Sequence, residues 1–146
     1  MVRFFFSLIF YFLYLKTLHA DAYEIIVLSI HEQMSIETKK EYKFSVSEAI
    51  GNWQDNLGNY GKAKILFSVE SKKNSNVELK GLIELLDNES QNIWLTAIRR
   101  STEEVAGVGK MKIIETTKKY SHLLNKDCTY AINYFDDRSY MKVKCF

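Results

Sequence analysis

Along most of the chain apolar and polar residues alternate one for one, the period of a β-strand whose successive side chains point to opposite faces. Residues 23–30 are rich in β-branched side chains and predict an opening strand, and residues 41–46 alternate cleanly. Residues 62–70 place Ile65, Phe67 and Val69 on one face and Lys64, Ser68 and Glu70 on the other. Val77, Leu79, Ile83 and Leu85 line one face of the next run, where Gly81 marks a bend, a bulge or a close neighbour. Residues 93–98 are apolar on both faces, which predicts a central strand and a deeply buried Trp94. Residues 110–115, 128–135 and 139–145 bring the total to about eight strands. Turn-forming clusters separate them at 73–76, 87–89 and 136–137. Two short stretches, around 45–50 and 118–124, have helical character. Short strands with short connections pair with their sequence neighbours, which makes an antiparallel meander. Eight strands in one small domain must hide their edges, so the predicted fold is all-β: a closed or nearly closed barrel, with a sandwich as the other closure.

The first 20 residues break the pattern. Arg3 is followed by an uncharged apolar run at 4–15 and a short polar stretch ending at Ala20, the three parts of a secretory signal peptide. The run is shorter than the roughly 20 residues a membrane-spanning helix needs. The expected organisation is therefore a signal peptide at 1–20 and a single barrel domain at 21–146, exported to a periplasm or secreted, with no membrane span after cleavage at Ala20 or Ala22. Without Arg3 and Lys16 the chain holds 18 basic and 18 acidic residues, so its basic balance belongs to the leader. No basic patch of the kind nucleic acid requires is left. An outer-membrane barrel ending at Phe146 would carry Lys144 and Lys142 on its lipid face, at roughly 2–4 kcal/mol each near the midplane, and is disfavoured.

Export gives the two cysteines a meaning, since an even count in an oxidising compartment reads as a disulfide. A two-residue turn at Asp136-Asp137 pairs Phe135 with Arg138, then Tyr134 with Ser139, Ile132 with Met141 and Tyr130 with Val143. The next pair on that face is Cys128 with Cys145. The counting places it at a narrow pair with Cα atoms about 4.5 Å apart, inside disulfide range. A disulfide stapling the C-terminal hairpin is thus predicted from spacing.

Catalytic and metal motifs are scarce. His31 and His122 have no ligand-spaced partner, so neither a metal nor a cofactor is expected. No nucleophile elbow occurs. Gly107-Val108-Gly109-Lys110 lacks the spacing of a phosphate loop and reads as a turn before a strand. Glu103-Glu104 reads as a solvated loop. Of Arg99-Arg100 one must point inward or toward a barrel end, where it can meet an anion. The segment from Gly51 to Gly61 gathers three glycines, three asparagines, Asp55, Trp53 and Tyr60, and reads as one loop. Large aromatics with polar tips suit ligand or partner contact, although Trp53 plugging one end of the core explains the same residues. Trp53, Asp55, Tyr60 and Arg99 are the candidate contact residues, with Trp53 expected at an open end.

Two resemblances accompany this reading. Gly51-Asn52-Trp53 resembles the Gly-x-Trp of lipocalins, although there it opens the first strand and here two strands precede it. The stretch with Gly107-Val108-Gly109, Thr117-Lys118-Lys119-Tyr120, Leu123-Leu124 and Cys128-Thr129-Tyr130 resembles the closing strands of small allene-oxide-cyclase-like barrels. That resemblance implies a closed antiparallel barrel with a modest cavity. The functional expectation is a non-catalytic exported barrel that binds a small apolar ligand or a protein partner. The alternatives are a barrel isomerase or hydrolase using interior carboxylates and tyrosines, and a structural or inhibitory envelope protein without a pocket.

Overall fold

Strands form wherever the period-two runs predict them. The computed structural model describes residues 22–72, 77–101 and 106–146, so the leader, the turn cluster at 73–76 and Glu103-Glu104 lie outside the described residues. The order is β1 (Tyr23–Glu37), β2 (Tyr42–Asp55), β3 (Tyr60–Lys72), β4 (Val77–Asp87), β5 (Asn92–Ser101), β6 (Ala106–Thr116), a 3-10 turn (Lys118–Leu123), β7 (Asp127–Phe135) and β8 (Arg138–Cys145). Each strand pairs antiparallel with the next, and β8 returns to β1 from Tyr23–Cys145 to Ile30–Arg138, which closes the barrel. Closure leaves no sheet edge over that length.

Alternation then assigns the faces. On β1 the buried residues are Tyr23, Ile25, Val27 and Ser29, and on β8 they are Ser139, Met141, Val143 and Cys145. Ile65, Ile83, Leu85, Ile93, Leu95, Met111 and Ile113 complete a core filled by all the strands. Lys142 and Lys144 point outward, and both pair with Glu24 on β1, at 2.8 and 3.2 Å.

The two ends of the barrel differ. At one end the 3-10 turn folds across the opening and buries Tyr120 and Leu123, as its helical character foretold. Trp53 packs edge-on against Tyr120, with ring centroids 6.3 Å apart, and its Nε1 donates to the Leu86 carbonyl at 3.1 Å. This end also carries the disulfide. Cys128 and Cys145 are paired in the predicted register, with Cα atoms 4.0 Å apart. At the other end β1 overshoots its neighbour: beyond Ile30 it has no β8 partner among the described residues, and the His31 amide donates across to the Asp137 carbonyl at 2.8 Å.

Four expectations are corrected here. The segment 45–50 is strand, not helix, because its small residues Ser45, Ser47 and Ala49 face inward while Phe44, Val46 and Ile50 face out. The segment 51–61 is not one loop: β2 runs through Asp55, and a four-residue turn returns the chain at Tyr60. Trp53 is 2% exposed in the closed end, not at an open one. Trp94 faces outward beside Glu84 and Glu115 and is only half-buried, because a closed barrel has no central strand to cover both its faces.

Candidate functional site

A barrel interior stays open only where the inward side chains are too small to fill it. Near its uncapped end this chain places Ser29, Ser47, Ala49, Gly81, Ala97, Gly107 and Gly109 on inward positions. A cavity of about 190 Å³ opens in the mouth, lined by His31, Gln33, Ser45, Phe67, Val69, Leu79, Arg99 and Tyr134. It shares His31, Phe67, Leu79 and Tyr134 with a narrower extension of about 30 Å³, which reaches Ile65, Ile83, Met111, Tyr130, Ile132 and Met141. The chamber is polar at its rim and apolar at its floor. It falls below the roughly 300–1,000 Å³ of a drug-sized pocket, so it suits a compact guest.

Gly107 and Gly109 explain how two large side chains fit there. Both lie within β6, not in a turn before it, and both face inward. A Cβ on Gly107 would come 3.1 Å from Cδ and Nη1 of Arg99, and a Cβ on Gly109 would land on the Tyr130 ring. Bare backbone at these two positions is the shelf on which Arg99 and Tyr130 lie. Arg99 is 2% exposed, whereas Arg100 points outward and meets Glu78 at 3.5 Å, so the inward member of the pair is settled.

Several polar atoms at the mouth are buried without a hydrogen-bond partner among the described residues: His31 Nδ1, Ser47 Oγ and the Tyr130 hydroxyl. Orphaned buried groups are uncommon in folded proteins, and each such group points to water or to a guest. Others are satisfied internally, as where the Ser29 and Ser139 hydroxyls meet at 2.8 Å. The His31 and Tyr134 rings pack edge to face with centroids 5.4 Å apart. Burial pushes the Tyr130 phenol up to about 12, a rise that the Arg99 charge restrains. Burial also raises the Tyr134 phenol against the same charge. Both hydroxyls therefore stay protonated at neutral pH and can donate.

The four candidate contact residues do not converge. Arg99 is in the mouth, while Trp53, Asp55 and Tyr60 belong to the closed end. There Asp55 accepts from the Tyr23 hydroxyl at 2.9 Å and from the Leu57 and Asn59 amides at 2.9 and 2.8 Å. Tyr60 is exposed beside an outer groove of about 530 Å³ that also touches Gln54, Lys62 and Asn88. Asp87 repeats the Asp55 turn two connections later, at the same end: it accepts from the Glu89 and Gln91 amides, both at 2.8 Å, and from Lys119 Nζ and the Tyr120 hydroxyl, also at 2.8 Å. These carboxylates hold turns and the plug together. The mouth residues His31, Tyr130 and Tyr134 were missed, and the available signal was Gly107-x-Gly109, two glycines on the same face of a strand.

No family model matches the sequence, and no curated protein matches it. Solved structures that share the fold include two proteins of unknown function. One is a conserved protein of unknown function from Rhodopseudomonas palustris, with a TM-score of 0.69 and 11% identity over 84% of this chain and 94% of that one. The other is a protein of unknown function from Clostridium acetobutylicum, also with a TM-score of 0.69 and 11% identity, over 86% of this chain and 96% of that one. At this identity the likeness shows the barrel architecture alone. Gly51-Asn52-Trp53 lies on the second strand, away from the position it holds in lipocalins.

Proposed function

We propose that this protein is an exported barrel that binds a compact small molecule in its open mouth. The carrying observation is the chamber itself: a polar rim and an apolar floor, with the small inward residues Ala49, Gly81 and Ala97 along its narrower part and a buried Tyr130 hydroxyl that meets no protein partner among the described residues. Apolar cavities with a few placed polar groups are the usual form of a ligand site. An isomerase or hydrolase of the kind considered above would need a carboxylate beside the tyrosines. Among the described residues the cavity lining holds none, and Asp55 and Asp87 are engaged at the opposite end. The export half of the proposal is supported by the leader pattern at 1–20 and by the disulfide, a bond characteristic of oxidising compartments.

Native mass spectrometry of the full-length gene product, recovered from the medium or envelope of the producing cell, tests both halves. The expected species has lost its first 20–22 residues and carries a small bound molecule. Gly81→Leu, which fills the chamber from the inward face of β4, is expected to abolish that adduct. An adduct that survives the substitution, or an intact leader in the cytoplasmic fraction, overturns the corresponding half.

A further inference from the structure

Past the mouth β1 carries a strand edge that the rest of the barrel does not use. The His31 amide donates toward β8, and backbone groups alternate sides along a strand. Gln33, Ser35 and Glu37 therefore turn their amides and carbonyls to the β8 side as well. β8 ends its pairing at Ile30, and these three residues meet no backbone partner on that side among the described residues. The opposite edge of the same stretch is taken by β2, in a register that runs unbroken to Glu37–Lys43. Exposed edges are normally blunted by a proline, a lysine or a bulge. Between Glu32 and Glu37 this one has none of these. Its outer face shows exposed Met34 and Ile36 beside exposed Val46 and Phe44 of β2. A bare apolar edge of this kind is a template for another strand.

We infer that this edge pairs with the same edge of a second copy of the chain, antiparallel about a two-fold axis at Ser35. That register sets Ser35 against Ser35 of the second copy, Gln33 against Glu37 and Met34 against Ile36. Across the outer face Phe44, Ile36, Met34 and Val46 then form one unbroken apolar row, two residues from each copy. Sliding the second copy by two residues would set Ile36 against Glu32 instead. Charge selects the same arrangement. After Glu37 the chain turns at 38–41, and the hairpin turn at Asp136-Asp137 occupies the β8 side of β1 at His31. In the pair, the 38–41 turn of each copy abuts the Asp136-Asp137 turn of the other. Lys39 and Lys40 are exposed and have no ion-pair partner among the described residues, and neither has Asp136. Asp137 reaches Arg138 only at 3.9 Å. Two lysines therefore meet two aspartates, twice, across the axis.

So short an interface makes a reversible dimer, with the edge free in dilute solution. Sedimentation equilibrium of the protein recovered from the producing cell is expected to show monomer at low concentration and dimer at high concentration. Amide exchange at 33–37 is expected to slow as the dimer forms. Ser35→Pro removes an amide that faces only the free edge, so it is expected to weaken pairing at least about tenfold and to leave the β2 bonds in place. Charge reversal supplies a second test in surface turns. One variant carries Lys39→Glu and Lys40→Glu. The other carries Asp136→Asn and Asp137→Lys, with asparagine chosen because φ at 136 is 55°. Each alone is expected to stay monomeric, and their mixture to recover the dimer, because both contacts then join opposite charges. A native protein that stays monomeric at every concentration overturns the inference, and slow exchange at 33–37 in that monomer would give the edge to another segment of the same chain. A dimer that survives Ser35→Pro uses a different surface, and a mixture that fails to recover it overturns the register.

Discussion

Asp87 shows how a single side chain holds one end of this barrel together. Burial by itself would raise its pKa. Lys119, the Gln91 amide, the Tyr120 hydroxyl and the Glu89 amide outweigh that and hold the carboxyl down at about 2. A carboxyl whose folded pKa lies below its unfolded value stabilises the fold above the unfolded value, near 4, and loses that contribution as pH falls toward 2. The shift corresponds to about 2–3 kcal/mol. Urea unfolding at successive pH values should show stability falling between pH 4 and 2, and Asp87→Asn should flatten that limb. Equal acid limbs in the two proteins would refute this role. The tryptophans make a second residue-scale prediction, in which outward and inward positions trade the expected roles. The Trp94→Phe variant retains only Trp53, 2% exposed, and should resist acrylamide. The Trp53→Phe variant retains only half-buried Trp94 and should be quenched readily. The opposite order would mean that β2 or β5 faces the other way.

Among the elements, the final hairpin matters most for closure, because β8 is the strand that seals the barrel against β1. Cys145 is paired both with Tyr23 on β1 and with Cys128 on β7, so the disulfide fixes the last strand at the seam. The cysteines are 17 residues apart, and in the chain-entropy account removing the bridge costs roughly 2–4 kcal/mol. The double variant Cys128→Ser, Cys145→Ser should lose about that much in urea, and the oxidised protein should take up no alkylating label without reductant. Two labels on the native protein would show that the bridge is absent. The hairpin was legible because its turn residues and its cysteines count to one register. The eight strands were legible because alternation survives wherever the inward side is apolar. Two regions were harder to read for the same physical reason, since around a cavity the inward residues become small or polar. In 44–47 the apolar residues Phe44 and Val46 face solvent while Ser45 and Ser47 face in, so the pattern resembles an ordinary half-buried strand turned over. At Gly107 and Gly109 the inward side chain vanishes altogether, and the strand passes for a turn. Trp53, Asp55 and Tyr60 drew notice as a dense aromatic and polar cluster, but density of such residues marks a plugged end as readily as a binding loop.

Across the whole molecule these local features add up to a gradient from a sealed end to an open one. The sealed end combines the disulfide, the Trp53–Tyr120 contact and the doubly anchored Asp87, all around fully buried Leu123, Ile93 and Ile113. At the open end β1 continues past its last β8 partner, and residues 32–37 are exposed throughout, with Met34 at 77% and Ile36 at 75%. Those residues keep their β2 partners, from Glu32–Glu48 to Glu37–Lys43, but cover no core. Local opening free energies follow buried contact, ranging from near zero at frayed segments to the global value in the core. Such a gradient suits a barrel that admits a guest at one mouth, because the walls there can yield without disturbing the seal at the far end. Hydrogen–deuterium exchange followed by mass spectrometry should therefore report rapid exchange across 32–44 and the slowest exchange in β5 at 93–97 and in β8 at 141–145. A small molecule bound in the mouth should slow exchange at 29–33 and 107–111, with little change at the sealed end. Uniform protection along β1, or ligand-induced slowing confined to the sealed end, would contradict this division of the barrel.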